Sequence, residues 1–171
     1  MIKKTAAAIL AAAWMVLLTS CSAGEFGVSS ATGGKALESS TSAAAGSVED
    51  TLEGLEKYLS QNASVSGKAE EMRADIIGAK KGVRYQYGYN GKNNVTLELY
   101  EFDKDNLNET ARKVLSEIKE KGSFSLMGGK VPGVLSDSGK YLMIYRNSAD
   151  DSENKAYGKK LEKLFRSFKK E

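Results

Sequence analysis

The sequence predicts an α+β domain in which an antiparallel sheet of about four to five short strands has helices packed on one face. Three observations support this class: apolar residues recur at helical spacing in some segments and at every second position in others, the strands are short, and turn clusters join them as hairpins. The predicted element order is α-α-β-β-α-β-β-β-α, which is typical of an antiparallel sheet with helices on one side. The domain is expected to span residues 47–171.

Capping residues and glycine stops define the predicted elements. The first helix begins at Ser47, because Ser47, Val48, Glu49 and Asp50 approximate a capping box. Acidic residues in the first turn and Gly82 just beyond the last turn predict a second helix. The predicted helices cover residues 47–61, 68–81, 108–121 and 152–169, and the predicted strands cover 83–89, 95–102, 124–127, 133–136 and 141–146.

The first twenty-one residues have the parts of a bacterial lipoprotein signal. Lys3 and Lys4 precede an apolar run, 6–18, that is too short to span a bilayer as a helix. The run ends in Leu18-Thr19-Ser20-Cys21, which resembles the bacterial lipobox. The resemblance implies that residues 1–20 are a cleaved signal peptide and that lipid on Cys21 anchors the chain at the extracytoplasmic face of the cell membrane. A plain secretory signal with a coincidental cysteine is the alternative.

A linker is predicted between this anchor and the domain. Nineteen of the twenty-five residues from 22 to 46 are Ser, Ala, Gly or Thr, a composition that cannot form a core, so residues 21–46 are interpreted as the lipidated cysteine and a flexible linker. Together with the lipobox, this layout resembles the small, uncharacterised envelope lipoproteins of Gram-positive anaerobes. That resemblance implies a location and no activity.

Composition excludes several kinds of chemistry. The chain has no histidine and one cysteine, so Cys/His zinc sites, internal disulfides and histidine-based catalysis are excluded. We therefore expect no catalytic residues, no metal, no cofactor and no enzymatic activity. Two of the 25 basic residues lie in the signal, which leaves 23 against 22 acidic residues and a net charge of +1. This balance does not favour nucleic-acid binding.

The last predicted strand suggests a contact surface. Leu142 and Ile144 point to one face of the sheet and their neighbours to the other, which is open if helices cover one side alone. Exposed tyrosine and methionine favour a ligand or partner surface, although tyrosines also suit half-exposed strands that bind nothing. The predicted surface comprises Tyr100, Tyr141, Met143 and Tyr145.

Two groups of charged residues are further candidate sites. A carboxylate pair could hydrolyse glycosides without histidine, but acidic residues of this kind more often serve solubility or capping; the group is Glu98, Glu101, Asp103 and Asp105. The last helix is acidic at its start and basic along the rest, as the helix dipole favours, and contact with anionic lipid or polymer is the alternative interpretation. Its basic residues are Lys155, Lys159, Lys160, Lys163, Arg166, Lys169 and Lys170.

The sequence therefore predicts a membrane-tethered, extracytoplasmic lipoprotein with a small non-enzymatic binding domain. Its expected partners are the membrane, through lipid on Cys21, and a protein or polymer of the cell envelope. The alternatives are a small carboxylate-dependent hydrolase acting on envelope polymers and a purely structural envelope component.

Overall fold

A five-stranded antiparallel sheet organises the described residues, 44–170, of this computed structural model. The predicted signal peptide, Cys21 and the linker up to residue 43 lie outside the described residues, as does Glu171. The elements are α1 (Leu52–Ala63), β1 (Glu70–Glu71), β2 (Lys81–Tyr87), β3 (Val95–Glu101), α2 (Glu109–Lys121), β4 (Ser123–Leu126), β5 (Gly129–Pro132), β6 (Val134–Leu135), β7 (Tyr141–Asn147) and α3 (Ser152–Arg166), with 3-10 turns at Ala45–Ser47 and Ala74–Ile77.

The strand order in the sheet is β1-β2-β3-β7-β6, and every neighbouring pair is antiparallel. The central strand, β3, pairs along its whole length with β7, and Leu99 lies opposite Met143. The separate hairpin of β4 and β5 turns at Met127 and Gly128, whose φ angles of 50° and 80° match the primed turns that hairpins favour. The strand predicted over residues 124–127 corresponds to β4, whereas β5 lies where no strand is predicted.

Helices lie on both faces of the sheet. On one face, α1 and α3 pack against the odd-numbered residues of β3 and β7. On the opposite face, α2 and the Ala74–Ile77 turn pack against Tyr100, Leu142 and Ile144. The α+β class and the antiparallel sheet are confirmed, and the structure corrects the placement of the helices on a single face. The pattern of β3 did not indicate a helix on the second face, because Glu98, a charged residue, occupies a buried position there.

Residues 68–81 do not form the predicted second helix. Glu70 and Glu71 instead pair with Arg84 and Val83 as strand β1. A 3-10 turn follows, and Ala74 and Ile77 are buried within it against the α2 face of the sheet. Tertiary burial therefore outweighed the favourable helix-end charges.

Side-chain caps fix where the helices begin. Thr51, rather than Ser47, caps α1, since its Oγ1 accepts a hydrogen bond from the Gly54 N–H at 3.1 Å. Asn108 caps α2 in the same way, through the Ala111 N–H at 2.8 Å. Asp151 caps α3 by accepting from two backbone N–H groups. The predicted positions of α2 and α3 are thus close to those observed.

Candidate functional site

Tyr141 and Met143 of the predicted surface are buried in the core. Their exposed fractions are 0% and 2%, and both face α1 and α3. The Tyr141 ring packs edge-on against Phe168 with centroids 5.5 Å apart, and its hydroxyl donates to Asp50 Oδ1 at 2.7 Å. The prediction that these residues lie on an open face is wrong, because α1 and α3 cover it.

Tyr100 lies on the opposite face of the sheet from Tyr141. It is buried against the α2 side, and its hydroxyl donates to Glu98 Oε2 at 2.9 Å. Gly82 on the neighbouring strand makes room for the ring, since a Cβ there would stand 2.6 Å from Tyr100 Cδ1. The four predicted residues therefore do not form one surface.

Two of the four, Met143 and Tyr145, do line a groove between β7 and α3. The groove has a volume of about 690 Å³ and a largely apolar lining, and the segment from Pro132 to Val134 forms its opposite side. Gly158 of α3 lies against Tyr145: a Cβ at Gly158 would stand 3.0 Å from Tyr145 Cε1. A largely apolar concave surface with a few directed polar groups is the usual form of a binding site.

One edge of β7 is left without a strand partner beside this groove. Strand β6 pairs with Leu142 and Met143 and no further. The next hydrogen-bonded pair would join position 132 to Tyr145, but Pro132 has no N–H to donate. The only proline of the sequence therefore stands where the pairing ends.

The unpaired backbone groups of β7 point toward the groove. The Ser136 N–H donates to the Tyr141 carbonyl, so odd-numbered residues of β7 direct their N–H and C=O groups to the β6 side. Consistently, the Ser148 N–H is directed the other way and donates to Asn94 on the β3 side. Tyr145 and Asn147 thus direct backbone donors and acceptors to an edge of β7 that has no strand paired with it, near the point where the end of β5 contacts β7.

An asparagine network fixes the end of the groove. Asn154, which is 2% exposed, accepts at Oδ1 from Asn147 Nδ2 at 2.8 Å and from Asn94 Nδ2 at 3.0 Å. Its own Nδ2 donates to Asp151 Oδ2 at 2.7 Å, and Asn147 Nδ2 also donates to the Tyr145 hydroxyl at 3.0 Å. These bonds join β7, the loop before β3 and the start of α3, so they hold the walls of the groove in fixed positions.

Near the asparagine network, Tyr87, Tyr89 and Tyr157 form a tyrosine cluster. The Tyr89 and Tyr157 rings stack with centroids 3.9 Å apart, and the Tyr87 and Tyr157 hydroxyls are 2.6 Å apart. Burial raises the pKa of Tyr157 to about 12 and raises the pKa of Tyr87 further still. Both phenols are therefore neutral at physiological pH, so they provide packing and hydrogen bonds rather than a base.

The acidic cluster considered from the sequence is largely engaged in structural contacts. Glu98 is buried and accepts from Arg84 at 2.7 Å as well as from Tyr100. Glu101 is also buried; its Oε2 accepts from the Leu52 N–H at 3.0 Å, and its Oε1 lies 3.5 Å from Lys140 Nζ. Asp103 and Asp105 are exposed.

A second, polar cleft of about 390 Å³ contains three of these carboxylates, interleaved with lysines. Asp50 at this cleft lies 3.1 Å from Lys140 Nζ. Burial opposes its ionisation, but the hydrogen bonds from Tyr141 and Lys140 and the charge of Lys140 outweigh that effect and hold the pKa of Asp50 below its usual value. An acid that must donate a proton needs the opposite shift.

Comparison of this chain with protein-family models, with curated proteins and with solved structures finds no match. Among residues 44–170, no three His, Cys, Asp or Glu side chains are grouped so that they could hold a metal ion. Within the same range, no helix has the length and apolar character needed to cross a membrane. The functional argument therefore rests on the geometry of the groove.

The sequence predicted Met143 and Tyr145 of the groove, but it did not predict Pro132 or the asparagine network. Asn94, Asn147 and Asn154 are distant in sequence and carry no motif, so only the fold brings them together. Pro132 was the available signal, because a proline within a strand segment marks an edge or the end of pairing.

Proposed function

We propose that this chain is an extracytoplasmic lipoprotein, anchored through lipid on Cys21, whose domain binds an extended peptide segment of another envelope protein in the groove between β7 and α3. The open edge of β7 beside an apolar groove is the observation that carries the binding proposal. An extended peptide that adds a strand to such an edge gains main-chain hydrogen bonds, and its alternate side chains fill the adjacent pocket.

The occupant follows from the pairing that already exists at this edge. A peptide in the groove would continue the antiparallel ladder of β6 and β7 past the point where Pro132 stops it. Its residue opposite Tyr145 would exchange two hydrogen bonds with the Tyr145 backbone. Because directly opposed residues share a face of the sheet, that residue's side chain would point into the groove beside Gly158.

Binding is better supported than catalysis. The chain has no histidine and no cysteine other than Cys21, and both buried carboxylates of the acidic cluster are held in ion pairs. A hydrolase that used the acidic cluster would have to work from the polar cleft, where the pKa of Asp50 is lowered. The rigid groove favours a binding role over a purely structural one, because a structural component needs no open strand edge.

Alternating N-methylation tests the binding mode. A heptapeptide selected from a random library against the immobilised domain would be remade with a single N-methyl group at each position in turn. In an added strand, every second N–H donates to β7 and the others face solvent. Affinity should therefore fall more than about tenfold at alternate positions and change little between them. Equal effects at all positions, or none, would show that the peptide does not pair with β7.

A further inference from the structure

The outer face of α3 carries a stripe of exposed cations. Lys155, Lys159, Lys163 and Arg166 are spaced at intervals of four, four and three residues, and all are exposed. At 3.6 residues per turn, these positions fall within an arc of about 80° on the helix surface. We refer to these four residues as the basic stripe.

Most of the basic stripe has no acidic partner among the described residues. Arg166 is paired with Glu162 at 2.8 Å, whereas the three lysines make no ion pair in that part of the chain. Asp150 and Asp137 come from other segments and share cavity walls with the stripe, and Asp137 is paired with Lys170. Surface cations left unpaired in this way are available to an external anionic partner.

The helix dipole accounts for only part of this pattern. Lys163 and Arg166 lie in the last turn, where the dipole favours cations, but Lys155 lies near the start of α3, where it disfavours them. General basicity does not account for the stripe either, because the chain from Cys21 onward carries a net charge of only +1. The stripe therefore groups four cations on one helix face of a chain that is nearly neutral.

The chain that leads to Cys21 joins the domain beside the end of α3. Lys169, just past the helix, donates from Nζ to the Val48 carbonyl, and Phe168 packs against Tyr58 of α1 with ring centroids 5.4 Å apart. Only 22 residues separate Cys21 from Ala44, the first described residue. An anchor at Cys21 would thus keep the domain, and with it the basic stripe, within reach of the membrane.

We propose that the basic stripe of α3 lies against the anionic headgroups of the membrane in which the chain is anchored. This inference rests on the proposed lipid anchor for its location, and the stripe adjoins the peptide groove, because Lys155 and Lys159 also line it. Clustered cations at an anionic bilayer each strengthen binding about fivefold, and the effect weakens as salt screens the charges. Neutralising three lysines of the stripe should therefore reduce vesicle binding by about 100-fold.

Vesicle co-sedimentation of the unlipidated chain, residues 21–171 with Cys21→Ser, tests the proposal. The vesicles would contain phosphatidylcholine with or without 30% phosphatidylglycerol, a composition of about one anionic lipid in three. The stripe variant is Lys155→Gln, Lys159→Gln and Lys163→Gln. The matched control is Lys113→Gln, Lys119→Gln and Lys121→Gln, which makes the same charge change on exposed lysines of α2, across the sheet.

The parent chain should bind the anionic vesicles alone and should lose that binding in high salt. The vesicle affinity of the stripe variant should be about 100-fold lower, and that of the control variant should change little. Equal losses in the two variants would overturn the proposal, as would the absence of binding to anionic vesicles. Binding to soluble poly(glycerol phosphate) but not to vesicles would also overturn it, in favour of an anionic polymer. Since no lipid on Cys21 is used, the outcome is independent of whether the anchor exists.

Discussion

Replacing Tyr141 by alanine should destabilise the domain severely. The side chain is fully buried, packs edge-on against Phe168 and donates a hydrogen bond to Asp50. Removing a buried aromatic ring typically costs 3–5 kcal/mol, roughly the sum of lost burial and the cavity left behind. For a domain of this size, each kcal/mol lowers the melting temperature by roughly 3–5 °C, so the variant should melt about 9–25 °C below the parent.

The conservative replacement Tyr141→Phe separates the ring from the hydroxyl. It retains the packing and removes only the hydrogen bond to Asp50, so it should cost about 1 kcal/mol. Thermal unfolding followed by circular dichroism would measure both variants. If Tyr141→Ala melted within about 2 °C of the parent, the assignment of Tyr141 to the core would be refuted, and the open face expected from the sequence would regain its support.

Three further predictions concern Asp50, Asn154 and Cys21. Partial burial opposes the ionisation of Asp50, but hydrogen bonds from Tyr141 and Lys140 lower its pKa, so the ionised form stabilises the fold above pH 3.8, the ordinary pKa, and this contribution is lost as the pH falls through the lower folded-state pKa. Urea unfolding between pH 6 and pH 2 should therefore show the parent losing its stability advantage over Asp50→Asn in the acidic range. A stability difference that stays constant with pH would contradict this linkage. Asn154→Ala should cost about 2–3 kcal/mol, measured by urea unfolding, because it leaves buried amide groups of the network unpaired, and a loss below about 0.5 kcal/mol would show that the network is not structural. Cys21→Ala should abolish incorporation of labelled fatty acid, and unchanged labelling would exclude the proposed anchor.

Alternation correctly paired the side chains of β7 but did not show what covers them. The sequence placed Leu142 and Ile144 on one face and Tyr141 and Met143 on the other, and the structure agrees. Whether a face is open depends on where distant helices pack, and the apolar residues of a helix do not say which face of a sheet they cover. The prediction of a contact surface was wrong because α1 and α3 cover the face that was expected to be open.

Local signals were reliable where local interactions decide the structure. The Asn108 cap and the Gly122 stop of α2 are visible in the sequence, and both operate in the fold. The helix predicted over residues 68–81 is wrong because the strand pairing and burial of this segment depend on contacts with β2 and α2. The groove could not be predicted for the same reason, since its walls come from β7, α3 and the segment at Pro132.

Amide hydrogen exchange at the open edge of β7 tests the central claim most directly. Resolved by NMR with and without the selected heptapeptide, the Tyr145 and Asn147 amides should become protected on binding, because they point to the groove and have no strand paired with them on that side of β7 in the free domain. The Ile144 amide, which is directed to β3, should change little and serves as the internal control. If the peptide bound while the exchange of Tyr145 and Asn147 stayed unchanged, the β7 edge would not be the binding site.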